Sequence, residues 1–195
     1  LKPENNITRE IGAGIQLDGL LTGNDRLQLK GGYFGTDARN YIATRVDMKR
    51  MRSYSYNVSR ARIWGWDMQG NYQSDYFDWM LSYNRTESMD ASSREWLGSG
   101  NPDTLISDIS IPVGHGGVSA GWRAELSAAA THVKKGDPHQ AGYAVHSFSL
   151  SYKPVSVKGF EASVTLDNAF NKLAMNGKGV PLSGRTVSLY TRYQW

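Results

Sequence analysis

The chain has 195 residues, a formal net charge of +4 and a mean hydropathy of −0.50. It contains no cysteine, which excludes a disulfide framework and a thiolate metal site. No stretch approaches the roughly 18 consecutive apolar residues of a membrane helix, and the 22 basic residues are spread out rather than gathered into a nucleic-acid-binding patch.

The first half of the chain alternates apolar and polar residues with a period of two, which predicts strands. These strands are expected at 7–17, 26–35, 60–72 and 77–84. Short turns are expected at 22–25 and 73–76, where small and polar residues cluster. The segments 37–57 and 86–111 keep no clear period and are rich in polar residues, so both are predicted to be long loops.

The second half continues the same pattern. Strands are predicted at 112–123, 126–133, 147–152, 160–167 and 185–195, with turns near 124–125 and 154–159 and loops at 134–142 and 172–184. The last strand has one mostly apolar face, made of Val187, Leu189, Thr191, Tyr193 and Trp195. Its other face is polar and charged, as expected for a strand between two different environments.

Together these elements predict an all-β chain of nine antiparallel strands and no helix. Strands of about ten residues can cross a bilayer when tilted, and alternating short and long connections are typical of outer-membrane barrels. A soluble sandwich would mix loop lengths at both ends. Because single-chain bacterial barrels have an even number of strands and cannot leave an edge open in lipid, nine strands indicate part of a larger transmembrane β-barrel.

The two faces of the predicted strands differ in the way such a barrel requires. Aromatic residues on the apolar face are expected to form the girdle at the lipid boundary: Trp64, Trp66, Trp79, Trp122, Tyr152, Tyr193 and Trp195. Charged residues on the other face are expected to line the lumen: Glu10, Lys30, Asp67, Asp78, Arg123, Glu161, Asp167 and Arg192.

Three segments resemble one family, the TonB-dependent outer-membrane receptors. The chain begins with Leu1-Lys-Pro-Glu4, followed by Arg9-Glu-Ile-Gly12, and later carries Leu166-Asp-Asn-Ala-Phe-Asn-Lys172 before the closing strand. The resemblance implies a 22-stranded barrel in the outer membrane, of which residues 1–195 would be the carboxyl-terminal part with the last nine strands. The plug domain, the TonB box and the signal peptide would lie upstream.

The resemblance also implies a transporter rather than an enzyme, with haem as its ligand and the haem and haemophore receptors as its subgroup. The haem-ligating residues would lie upstream of this chain. An iron-siderophore or cobalamin receptor remains the alternative, and a porin or a barrel enzyme is more remote. Implied partners are outer-membrane lipid, the TonB complex, a haemophore or host haemoprotein on the outer loops, and the barrel-assembly machinery.

Residues that bear on ligand binding are few. His139, Tyr41, Tyr54 and Trp96 are expected in outer loops, where they could contact haem or a protein partner. His132 is expected in or beside a strand, as an interfacial or lumen residue. No catalytic triad and no metal-ligand spacing is found. Leu189, Tyr193 and Trp195 in the last strand resemble the signal that the barrel-assembly machinery recognises.

Overall fold

The computed structural model describes residues 1–47, 50–98, 102–176 and 180–195. Within these residues the protein is one sheet of nine antiparallel strands, in which each strand pairs with its neighbours in the sequence. The strands are β1 (Asn5–Asp18), β2 (Arg26–Asp47), β3 (Arg52–Gln73), β4 (Asp78–Asp90), β5 (Thr104–Val113), β6 (Val118–Ser127), β7 (Tyr143–Tyr152), β8 (Phe160–Asp167) and β9 (Thr186–Tyr193). No described helix is long and apolar enough to cross a membrane. The predicted all-β architecture is confirmed.

The connections differ at the two ends of the sheet. One end, which we call the turn end, carries the short connections 19–25, 74–77, 114–117 and 153–159. The opposite end, the loop end, carries the connections 48–51, 91–103, 128–142 and 168–185. The predicted asymmetry is therefore present, although one connection at the loop end is short.

That short connection joins the two longest strands. β2 and β3 have 22 residues each and stay paired to Asp47↔Arg52, whereas β4 pairs with β3 only as far as Ala61. We call the projecting part, residues 40–47 and 52–60, the β2–β3 extension. The predicted loop at 37–57 was therefore wrong: most of it is strand. Among the described side chains of the extension only Ala43 and Val58 are buried, with Tyr41 and Tyr56 partly buried beside them, so the buried face is too short to give a clear period.

Three further predictions were wrong, and the missed strand and the extra strand among them cancel in the strand count. β5 lies inside the predicted loop at 86–111, because the neighbouring Leu105 and Ile106 hide its period. The predicted strand at 112–123 contains the turn 114–117, where Gly117 has a φ of +79° that favours glycine. The predicted strand at 126–133 was wrong, since Leu126 and Ser127 are the last residues of β6 and the strand does not continue beyond them.

The two faces of the sheet agree with the sequence pattern. The pairing register puts those predicted girdle residues that lie within strands on one side of the sheet, which we call the apolar face. The solvent-exposed residues of the apolar face include Ile11, Ile15, Leu29, Trp66, Met68, Phe148, Leu150 and Leu189. Register places the predicted lumen residues together on the other side. There Arg123 Nη1 lies 3.3 Å from Asp108 Oδ2. Most side chains of both faces remain at least partly exposed, as expected for a barrel wall between lipid and lumen.

Candidate functional site

A cleft of about 1230 Å³ lies at the loop end of the sheet. One wall is the β2–β3 extension, which contributes Tyr54 and Tyr56. The other walls are the β4–β5 loop (residues 91–103), with Trp96, and the β6–β7 loop (residues 128–142), with Lys134 and Lys135. Segments far apart in the sequence therefore meet at this cleft because neighbouring strands deliver their loops to the same end of the sheet.

The β4–β5 loop is held in place by continuing the sheet past β4. Trp96 pairs with Met89 in an antiparallel bridge, and the Leu97 backbone N–H donates to the Ser88 carbonyl at 3.0 Å. The Trp96 indole lies 6.1 Å, centroid to centroid, from that of Trp64 on β3. Leu97 is buried in a small apolar cluster with Ala38, Ala43, Val58 and Ala61. Backbone pairing and apolar packing therefore fix the direction of Trp96.

The β6–β7 loop is joined to the β4–β5 loop through His132. Its imidazole stacks on the Trp96 indole with centroids 4.0 Å apart and ring planes within 7°. His132 Nδ1 lies 2.8 Å from Glu87 Oε1 on β4. A histidine between a carboxylate and an aromatic face is restricted in both position and ring orientation, so His132 ties this loop to β4 as well as to its neighbour.

Glu87 is the carboxylate on β4 to which His132 of the β6–β7 loop is bound. It is only 9% exposed, and Arg85 Nη2 lies 2.9 Å from its Oε1. Arg85 also reaches Asp103 through Nη1 at 3.4 Å, and the Tyr83 hydroxyl donates to Asp103 Oδ2 at 3.0 Å. A buried carboxylate is tolerated only when it is paired and hydrogen-bonded. The network therefore supplies Glu87 with the partners that a buried carboxylate needs and anchors both loops beside it.

A second anchor is Lys134. Its Nζ donates to the Thr44 carbonyl of β2 at 2.6 Å and lies 5.8 Å from the centroid of the Tyr56 ring. A backbone hydrogen bond together with a cation–π contact holds the β6–β7 loop against the β2–β3 extension. The next residue, Lys135, makes only a 3.7 Å contact with Glu95 and is 86% exposed.

The chemistry of the cleft is that of a docking surface. Its aromatic members Tyr54 and Tyr56 lie with ring centroids 6.4 Å apart, and it carries both cations and anions: Arg45, Lys134, Lys135, Asp90, Glu95 and Asp137. Aromatic anchors with mixed charges at the rim characterise protein interfaces. Among the described residues, no group of three or more histidine, cysteine or acidic side chains could hold a metal ion.

The sequence-predicted ligand residues occupy different positions around this cleft. Tyr54 and Trp96 line it. His139 is exposed on the β6–β7 loop next to Pro138, which lines it. Tyr41 instead packs against the buried cluster around Val58. The expectation that Tyr41 and Tyr54 lie in a loop was wrong, because they belong to β2 and β3.

Sequence reasoning missed the role of two residues, His132 and Lys134. His132 was expected in or beside a strand because the Ala128–Ala130 run was read as a strand of small residues. That run of small side chains, directly after a strand that ends at Ser127, could instead have indicated that the sheet stops there. For Lys134, the sequence carries no signal, since its partner is a backbone carbonyl 90 residues away.

The predicted assembly signal lies at the opposite end of the sheet. Leu189 and Tyr193 point from the apolar face of β9 and are 73% and 57% exposed. Trp195 follows the end of β9 and is fully exposed. The Gln194 backbone N–H donates to the Gly159 carbonyl at 3.0 Å, which holds this end of the chain beside the β7–β8 turn.

Comparison with known proteins gives a family and two kinds of relative. Residues 1–171 match the family model described as "TonB dependent receptor-like, beta-barrel". The chain is 42% identical to the hemin receptor of Yersinia pestis over 196 aligned residues, which cover 100% of this chain and 29% of that protein. The chain thus spans less than a third of this relative's length.

Solved structures share the fold. The copper transporter OprC superposes with a TM-score of 0.80 at 21% identity, over 98% of this chain and 31% of that one. A double mutant of the Serratia marcescens hemophore receptor HasR, solved in complex with its hemophore HasA and heme, gives 0.74 at 20% identity, over 100% and 32%. The family match covers most of the chain and agrees with the nine-stranded sheet and its two faces. The chain therefore belongs to the TonB-dependent receptor family and forms part of its outer-membrane β-barrel.

Proposed function

We propose that this chain is part of the barrel wall of a TonB-dependent receptor that takes up haem for iron acquisition, directly or from a haem-carrying protein. The observation that carries the proposal is the 42% identity with the Yersinia pestis hemin receptor over the whole chain. The shared fold does not identify the ligand, because OprC, which has a similar sheet, is named as a copper transporter. Sequence identity at this level therefore favours haem over a siderophore or cobalamin.

The proposal includes the place of the chain in its protein. β1 and β9 each pair with only one neighbour among the described residues, and such edges are not tolerated in lipid. They would be closed by further strands of a larger barrel. Residues 1–195 would form its carboxyl-terminal part, with the plug, the TonB box and the haem-ligating residues upstream. The TonB complex would act through that plug.

The cleft at the loop end is proposed as a docking surface for a haem-carrying protein. The loop end is the outer side, since barrels of this class place their longer loops there. Tyr54 and Trp96 would be the aromatic anchors, with His139 at the rim. The joint of His132 with Glu87 would keep the two loops in the geometry that presents Trp96.

The test uses the intact, detergent-purified receptor with haemoglobin as the haem-carrying probe. Tyr54→Ala combined with Trp96→Ala should weaken haemoglobin binding about tenfold or more, as expected for two interface anchors, and leave the binding of free haem unchanged. Tyr76→Ala is the matched control, because Tyr76 is an exposed aromatic at the turn end. Unchanged haemoglobin binding by the double variant would refute the docking surface.

A separate measurement tests the substrate. Cells that lack other haem receptors should grow with haem as their sole iron source when they carry the intact receptor, and not with ferric siderophores. Growth supported by ferric siderophores alone would refute haem uptake and leave the barrel assignment in place. Because docking and substrate are measured separately, the failure of one is distinguishable from the failure of the other.

A further inference from the structure

An arginine-rich cluster lies on the apolar-face side of the sheet near the loop end. Three guanidinium groups surround the carboxylate of Asp37: Arg60 Nη2 is 3.2 Å from Oδ1, Arg62 Nε is 3.6 Å from Oδ1, and Arg9 Nη1 is 3.6 Å from Oδ2. All three arginines are exposed. Since three positive charges share one negative charge, two positive charges remain uncompensated within the group.

A fourth arginine increases this excess. Arg39 is exposed, two residues beyond Asp37 on the same strand, and lies directly opposite Arg60 in the pairing of β2 with β3. Like charges placed opposite each other across two strands destabilise the pair, and no ion pair of Arg39 occurs within the described residues. An anion between the two guanidinium groups would relieve this repulsion. We call Arg9, Arg39, Arg60 and Arg62 the arginine cluster.

The position of the arginine cluster along the strands can be compared with the limits of the bilayer. Trp64 is the girdle residue of β3 nearest the loop end, and Gly35 lies opposite it. Asp37 is two residues beyond Gly35, and Arg62 lies opposite Asp37. Two residues of a strand tilted by about 40° rise roughly 5 Å. A bilayer's polar layer is about 5–8 Å thick on each side, so extended arginine side chains at this position reach lipid headgroups.

The adjacent strand β4 does not extend this charge excess. On β4, next to the cluster, Arg85 is paired with Glu87 and with Asp103, so no comparable surplus arises there. Below the cluster, towards the turn end, Ile11, Ile15 and Leu29 present an exposed apolar surface on the same face. The cluster thus lies directly above a lipid-facing surface.

We propose that the arginine cluster binds the phosphate groups of an anionic lipid headgroup in the outer leaflet. Arginine forms bidentate hydrogen bonds with phosphate oxygens and keeps its charge at every physiological pH. The four side chains on three adjacent strands form a cationic surface at headgroup height. This site does not depend on which ligand the receptor transports.

The test compares lipid retention by the intact receptor in nanodiscs that contain bisphosphorylated lipid A in a neutral phospholipid. Native mass spectrometry should show lipid A that remains bound to the receptor after removal of the surrounding lipid. In the R60Q/R62Q double variant the affinity for lipid A should fall about tenfold or more, given the attraction typical of each basic residue near an anionic surface. High salt should weaken wild-type binding in the same direction.

Arg123→Gln is the matched control, since Arg123 is an arginine of the polar face with its own acidic partner. Arg39→Gln is a second test variant that breaks no ion pair and should still reduce lipid A binding. Folding of each variant is checked by heat-modifiable mobility on gels. Equal lipid A retention by wild type and both cluster variants would overturn the proposal. Retention of fully dephosphorylated lipid A at the level of bisphosphorylated lipid A would also overturn it.

Discussion

His132 and Trp96 lie face to face, with ring centroids 4.0 Å apart and planes within 7°, and they join the two loops that build the cleft. Each residue also has an anchor of its own. Trp96 is fixed by pairing with Met89, and His132 is fixed by Glu87. The stack therefore restricts the motion of the β6–β7 loop relative to β4.

The first prediction concerns this stack. His132→Ala and Trp96→Ala should each make the β6–β7 loop easier to cleave, because either change removes the ring contact. In a double-mutant cycle based on the rate of limited proteolysis, the two changes should couple by about 1 kcal/mol, as stacked ring pairs do. His139→Ala, elsewhere on the same loop, is the control. Purely additive effects would show that the stack does not hold the loop.

Lys134 and Lys135 should differ although they are adjacent. Lys134→Ala removes the hydrogen bond to Thr44 and the contact with Tyr56, so amide exchange in the β6–β7 loop should become several-fold faster. Lys135→Ala should change it little, because an exposed ion pair of 3.7 Å contributes almost nothing. Equal exchange rates in the two variants would contradict this account of the loop.

Gly65 on β3 allows a close approach of Phe34. A Cβ at this position would lie 2.6 Å from Phe34 Cε1 and closer still to the Arg85 carbonyl oxygen. Gly65→Ala should therefore destabilise the barrel by about 1–3 kcal/mol, the usual cost of overpacking. Gly23→Ala, at a site with no atom within 4 Å of the added carbon, is the control. The check is the urea concentration at which the purified barrel unfolds, and equal midpoints for both variants would be inconsistent with the close approach.

Asp25 should make stability depend on pH. Burial raises the pKa of this carboxyl, but the Leu21 backbone N–H at 2.7 Å and the Tyr72 hydroxyl at 2.9 Å, together with other backbone donors, outweigh it and lower the pKa below the ordinary value. The ionised form thus stabilises the fold above about pH 4, the unfolded-state pKa, and this contribution is lost as pH falls through the lowered pKa.

The comparison is between wild type and Asp25→Asn, a side chain that does not titrate. The wild-type advantage in thermal stability should be largest at neutral pH and should shrink as the pH is lowered below about 4. A difference that stays constant between neutral and acidic pH would exclude ionisation of Asp25 as its cause.

The end of the chain gives the last prediction. Deleting Trp195 should reduce the amount of receptor inserted in the outer membrane, because the alternating apolar residues that end there resemble an assembly signal. Receptor that does insert should bind its ligand normally. The measurement is the yield in isolated outer membranes, with Gln194→Ala as the control. Equal yields for deletion and parent would refute the assignment.

The sequence predicts the fold class well because a barrel wall has two environments. Lipid on one side and a polar lumen on the other impose a period of two, as in the alternation of Trp64 and Trp66 with Asp67. Where the contrast between lipid and lumen ends, the alternation no longer predicts the strands. The β2–β3 extension projects past its neighbours and has only a short buried face, so the sequence assigns Tyr41 and Tyr54 to a loop.

The candidate site is less predictable for a different reason. Trp96 and Tyr54 are recognisable as candidate anchors from their residue type. Their assembly into one cleft depends on the order of strands in the sheet and on the joint between His132 and Glu87, which are 45 residues apart. The contact of Lys134 with the backbone carbonyl of Thr44 cannot be predicted from residue type, because every residue has a backbone carbonyl.

The most direct test of haem uptake is a titration of the intact, detergent-purified receptor with haem, followed by Soret-band absorbance. The proposed function predicts a saturable shift to a six-coordinate spectrum at one haem per receptor, with ligands from residues outside this chain. Absence of saturable binding, both with free haem and with haem delivered by haemoglobin, would contradict haem as the transported ligand.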